Sequence, residues 1–146
     1  MHRFGWAWLA LATALAVHVT DEAANGFLAF YNPLVLALRA RLAWFPAPTF
    51  TFGEWIAELT IFVAVLLALS FQAFEEKRWI VWPAIILGVV MTGNGFGHIA
   101  GSIYYGRLLP GTYSAPLLLL ISPWLVREAI LVRRRNRLIQ SPRSSE

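Results

Sequence analysis

Four hydrophobic blocks divide the chain: Phe4–Val19, Trp55–Phe74, Trp79–Tyr105 and Tyr113–Leu125. A helix that crosses a bilayer needs ~20 mainly apolar residues, with ~17–25 usual. The two middle blocks meet this outright. The first meets it if its helix runs on into Asp21–Asn25, and the fourth if it starts near Pro110 or continues past Arg127. The pattern predicts an all-α protein built as a four-helix transmembrane bundle.

The polar punctuation places the ends. Asn25-Gly26 stops the first helix, because asparagine and glycine tolerate the left-handed turn that closes one. The Phe27–Thr51 connection is long enough to carry structure of its own. Within it, Asn32-Pro33 reads as N-cap and first residue of a short interfacial helix between helices 1 and 2, with Leu34, Leu38 and Leu42 as its apolar stripe. Phe45-Pro46-Ala47-Pro48 ends that helix. Thr51 and Glu54 have capping-box spacing, so the next helix begins at about Phe52. Glu75–Arg78 is a tight link, and Arg107–Thr112 with Pro110-Gly111 a turn. Gly93, Gly97 and Gly101 recur every fourth residue, which predicts a face for close helix packing.

Composition agrees with a membrane protein. Apolar residues make up 58% of the 146-residue chain, above the ~45–50% of soluble domains, and mean hydropathy is +0.60. The net charge of +4 could suggest nucleic acid, but its placement argues otherwise. Arg127, Arg133, Arg134, Arg135, Arg137 and Arg143 follow the last block, while Lys77 and Arg78 lie in a link. Such bias puts both termini and the 75–78 link in the cytoplasm, as expected in a bacterial inner membrane, and makes the arginines topology determinants in contact with anionic lipid. Residues 1–132 then form the four-helix membrane domain and 133–146 a basic, disordered cytoplasmic tail. The start also resembles a secretory signal, with an Ala-x-Ala at 14–16 after an apolar core, but the run ends in a helical polar face where a cleavage region would be flexible. No cysteine is present, which excludes disulfides and thiolate chemistry.

Ionisable groups inside apolar blocks are costly and call for a reason. His18, Asp21 and Glu22 share one helix face at i, i+3 and i+4, with Asn25 at i+7. Glu58 lies one turn into the second block, and Asn94 and His98, then Tyr105, follow in the third. With the topology above, all fall at similar depth in the outer half, which predicts a single site lined by His18, Asp21, Glu22, Glu58, Asn94 and His98. Two imidazoles with several carboxylates suit one zinc, iron or manganese ion. The same set also suits a proton or polar-ligand site, or a hydrogen-bonded network that orients helices. No Ser-His-Asp set is apparent.

These residues carry a resemblance. His18-x-x-Asp21-Glu22 in the first helix, Glu58 opening the second, Asn94-x-x-x-His98 in the third, and Tyr105 with Pro110-Gly111 before the fourth resemble the HXXEE-domain family of small bacterial membrane proteins. Asp21 departs from the pattern, standing where the motif has its first Glu. The resemblance supports a site and leaves its chemistry open. The leading expectation is a metal-dependent enzyme on a lipid-like or hydrophobic substrate. His18, Glu22 and His98 serve as ligands, Asp21 or Glu58 as general base, and Asn94 and Tyr105 as lining. The alternative is a non-enzymatic carrier or binding protein for a proton, cation or polar ligand.

Overall fold

A computed structural model describes residues 2–140. Among them every regular element is helical: α1 (Arg3–Ala24), α2 (Phe27–Arg41), α3 (Phe52–Ala68), α4 (Ser70–Phe74), a 3-10 turn (Arg78–Ile80), α5 (Val81–Tyr105) and α6 (Ala115–Gln140). Three segments are long and apolar enough to cross a membrane: Phe52–Phe74, Arg78–Tyr105 and Ala115–Leu138. The first block is not among these three, although α1 spans 22 residues. It is instead the most enclosed helix, packed against α3, α4 and α6, while α6 also lies along α5.

The three inner helices repeat one spacing. Phe4, Trp8, Leu11, Leu15, His18 and Glu22 form the buried stripe of α1. Val81, Ala84, Gly88, Gly95, His98 and Ser102 form that of α5. Ala115, Leu118, Ser122, Leu125, Ala129 and Val132 are buried on α6. Steps of three and four keep one face turned to a neighbour, as in helices crossing at a small angle. Small residues let α5 and α6 approach closely. A Cβ on Gly88 would lie 2.5 Å from Val126 and 3.0 Å from the Ser122 carbonyl, and one on Gly95 would lie 3.0 Å from Leu119.

That result corrects the expected packing face. Gly93 and Gly97 have nothing within 4 Å of where a Cβ would stand, and Gly101 meets only Leu109. The glycines that pack are Gly88 and Gly95, two turns apart, because only they fall on the α6-facing stripe.

Most predicted ends hold. Asn25 caps α1 and Gly26 turns left-handed at φ +72°. Thr51 and Glu54 form the reciprocal capping box. α5 ends at Tyr105, as its hydrophobic block does, and Gly106 closes it at φ +63°. The connecting helix differs: it begins at Phe27, so Pro33 falls inside it. Asn32 caps nothing there. It donates to the Phe50 carbonyl at 2.9 Å and accepts from the Phe50 N–H at 3.1 Å, tying the far end of the connection to α2. The Phe52–Phe74 segment breaks at Leu69. Just before the break the Trp8 indole, buried and needing an acceptor, donates to the Leu66 carbonyl at 2.8 Å. α6 continues through 133–140, the first part of the segment expected as a tail, and 141–146 lie outside the described residues.

Candidate metal site at the closed end of the bundle

His18 and Glu22 occupy the last two positions of the α1 core stripe, and His98 a core position of α5. The packing that buries apolar residues lower down therefore drives these three together, and all are buried. Glu22 Oε1 lies 3.5 Å from His18 Nε2 and 3.1 Å from His98 Nε2. The three donor atoms lie within 4.8 Å of one another. The two imidazoles meet edge to face, with ring centroids 4.8 Å apart.

Asp21, one step off the stripe, faces the start of α6 instead. Its Oδ2 accepts from the Ser114 N–H at 2.9 Å and from Ser114 Oγ at 2.7 Å. Asn25 donates to its Oδ1 at 2.8 Å. Ser114 Oγ also lies 2.8 Å from His18 Nδ1 and 3.2 Å from the Gly111 carbonyl.

These contacts fix the tautomer of His18. A carboxylate and a carbonyl only accept, so the single Ser114 hydroxyl proton belongs to one of them. The serine oxygen must then accept from His18, which places that ring's proton on Nδ1. Nε2 is then the nitrogen turned toward Glu22 and His98, and this buried atom has no hydrogen-bond partner. A histidine whose second nitrogen is held through a hydroxyl by a carboxylate is the usual support for a metal-binding imidazole.

Gly111 makes room for the pair. Its φ is +86°, and a Cβ there would lie 2.5 Å from His98 Cε1, 2.7 Å from His98 Nδ1 and 3.0 Å from His18 Cε1. The α5–α6 link is pinned over the rings by Ser102, which meets Thr112 Oγ1 at 2.6 Å and accepts from the Leu109 N–H at 2.9 Å. Phe27, from the first turn of α2, lies 6.0 Å from the His98 ring and stacks on Trp55 of α3 at 5.8 Å.

Of the residues expected in one site, His18, Glu22 and His98 converge, and Asp21 joins them through Ser114. Asn94 is one turn before His98 and half-buried, with its Oδ1 buried and unpartnered. Glu58 is exposed on α3, and among the described residues no hydrogen bond or ion pair links it to the cluster. Tyr105 is 46% exposed and packs edge-on against Phe30 at 5.3 Å. Two residues that touch the cluster were not anticipated, Ser114 and Gly111. Ser114-Ala115-Pro116 is a helix-start signal that could have placed the serine. Gly111 stood in the predicted turn with nothing to connect it to the histidines.

The family described as "Protein of unknown function with HXXEE motif" matches residues 8–125. No curated protein matches the chain, and no solved structure matches it.

Proposed function

The chain belongs to the HXXEE family, and we propose that its motif makes it a membrane-spanning metalloprotein with one divalent cation on His18, Glu22 and His98. The unpartnered Nε2 of His18 carries this reading, because a buried polar nitrogen without a hydrogen-bond partner is costly unless a ligand completes it. Two of the three donor–donor distances suit that ligand, and the whole set spans no more than 4.8 Å. Four ligands at ~2.0–2.1 Å around zinc sit ~3.3 Å apart, and the two Glu22 contacts, 3.5 and 3.1 Å, bracket that edge. Two histidines and one carboxylate leave a coordination position for substrate, the pattern of catalytic zinc and of non-haem iron.

In this reading α1 is a fourth crossing beside the three apolar segments. Its 22 residues rise about 33 Å at ~1.5 Å each, enough for a ~30 Å hydrocarbon core. Its polar residues are tolerated because it touches helices more than lipid. Both termini and the 75–78 link are cytoplasmic, and the site lies at the outer end of an inner membrane.

The chemistry proposed is metal-dependent catalysis on a lipid-like molecule. A groove of about 720 Å³ between α1 and α6 is lined by Val17, Leu117 and Tyr113 and reaches Asp21, Asn25 and Ser114 at its polar end. An apolar chain could lie there with its head against that end. The cation would supply Lewis acidity toward an oxygen of the head. His18 and His98 would each supply a ring nitrogen to the cation, Glu22 balances charge, and Asp21 orients His18 through Ser114 and so is a positioning residue. Phe27 and Trp55 limit water.

Metal analysis of detergent-purified protein, grown and handled with zinc, iron and manganese each in turn, tests the proposal. One tightly bound ion per chain, lost in His18→Ala with the helical fold intact, is the expected result. A folded wild-type protein that takes up none of the three would sink the metal reading and favour a carrier for protons or polar ligands.

A further inference from the structure

The opposite end of the bundle carries a second polar cluster, made of positive charge. Arg78 and Trp82 are one turn apart where the Arg78–Tyr105 segment begins, and Arg133 and Arg137 are one turn apart where α6 ends. The two pairs face each other across a cavity of about 450 Å³ lined by Arg78, Trp79, Trp82, Arg133, Asn136 and Arg137. The Arg133 guanidinium lies 4.2 Å from the centre of the Trp82 ring. Trp79 and Trp82 are both more than half exposed.

Three neighbouring charges are already answered. Arg135 pairs with Glu76, Arg127 with Glu128 at 2.7 Å, and Lys77 with Glu75 at 3.0 Å. Among the described residues, no carboxylate pairs with Arg78, Arg133 or Arg137, and no acidic residue lines the cavity. Three guanidiniums held around one hollow repel one another unless an anion sits between them. Guanidinium matches phosphate oxygens in planar, paired hydrogen bonds. Two tryptophans at the mouth of the same cavity are the side chains enriched at the level of lipid headgroups.

We infer that this cavity binds the headgroup of an anionic phospholipid carrying two phosphates, with Arg78, Arg133 and Arg137 on the phosphates and Trp79 and Trp82 against the glycerol and upper acyl carbons. Two phosphates fit better than one, since three unpaired cations exceed the single charge of an ordinary phosphodiester and the volume exceeds one phosphate. The inference rests on the membrane-spanning topology proposed above and is independent of the metal.

The test reconstitutes the full chain in phosphatidylcholine nanodiscs that carry diphosphatidylglycerol or phosphatidylglycerol at equal total charge. Bound lipid is counted by native mass spectrometry, with and without inorganic phosphate as competitor. The expected result is retained diphosphatidylglycerol in preference to phosphatidylglycerol, weakened at least about tenfold in Arg133→Gln/Arg137→Gln. Arg134→Gln, outside the cavity, and the metal-site variant His18→Ala should bind as wild type. Equal retention by wild type and the double variant would overturn the inference, as would equal retention of the two lipids. Displacement by inorganic phosphate alone would assign the cavity to free phosphate and overturn the lipid. A periplasm-only reporter active at Glu146 would overturn the topology itself, a failure distinct from loss of lipid selectivity in correctly oriented protein.

Discussion

Gly111→Ala separates the cost of a backbone shape from the cost of crowding the histidines. Gly111 and Gly106 both hold a left-handed backbone, at φ +86° and +63°. An alanine in that region costs roughly 1–2 kcal/mol at either position. The surroundings differ. Around Gly106 nothing lies within 4 Å of a new Cβ, whereas at Gly111 the methyl carbon would meet His98 Cε1 at 2.5 Å and His18 Cε1 at 3.0 Å. Ordinary carbon contacts begin near ~3.5 Å, so the rings or the link must move by about 1 Å. His18 is held by Ser114 and the link by Ser102, so neither yields freely. Such overpacking adds about 1–3 kcal/mol. If the strain is relieved by driving the rings off Glu22, a midpoint of about 2 kcal/mol appears as roughly 30-fold weaker metal binding. Cobalt(II) titration followed by visible absorption, with thermal unfolding in the same detergent, reads both effects. Gly106→Ala should lose some stability and keep its metal affinity; Gly111→Ala should lose both. Equal behaviour of the two variants, or unchanged cobalt binding by Gly111→Ala, would refute the placement of that glycine against the rings.

Other expectations follow from the same contacts. Ser114→Ala breaks the support of His18 Nδ1 and should weaken metal binding about 10–100-fold while the protein stays folded; Asp21→Glu should be tolerated, and a reversed order in a binding titration would show that Asp21 acts otherwise. His18→Ala and His98→Ala should each abolish metal binding nearly as fully as the double variant, because residues acting as one unit are non-additive; independent, additive losses in equilibrium dialysis would mean two separate sites. Gly95→Leu should destabilise the α5–α6 contact by several kcal/mol, on the order of other severe core overpacking, whereas Gly97→Leu, facing open space, should unfold at the wild-type temperature. A Gly97→Leu protein as unstable as Gly95→Leu would show that a partner covers that face.

Local rules were enough for much of this chain. Hydrophobic blocks gave the long apolar helices, and Asn25-Gly26 and Thr51…Glu54 ended or began them where short-range geometry demands. His18, Glu22 and His98 could be picked out because ionisable groups in apolar surroundings are costly wherever the helices lie. Their core register came from the structure: the buried steps from Phe4 to Glu22 and from Ala84 to Ser102 place all three on stripes that face neighbouring helices. Which glycines pack depended on where α6 lies, and the every-fourth pattern of Gly93, Gly97 and Gly101 pointed to the wrong face. Asn32 looked like a cap because its partner, Phe50, is 18 residues away and unreachable by local reasoning. Glu58 seemed to share the site's depth, but depth is one coordinate, and rotation about α3 turns it outward. Ser114 and Gly111 lie 96 and 93 residues from His18. Only the folded bundle sets the serine between Asp21 and His18, and only there does one hydroxyl proton decide which nitrogen of His18 is free to bind.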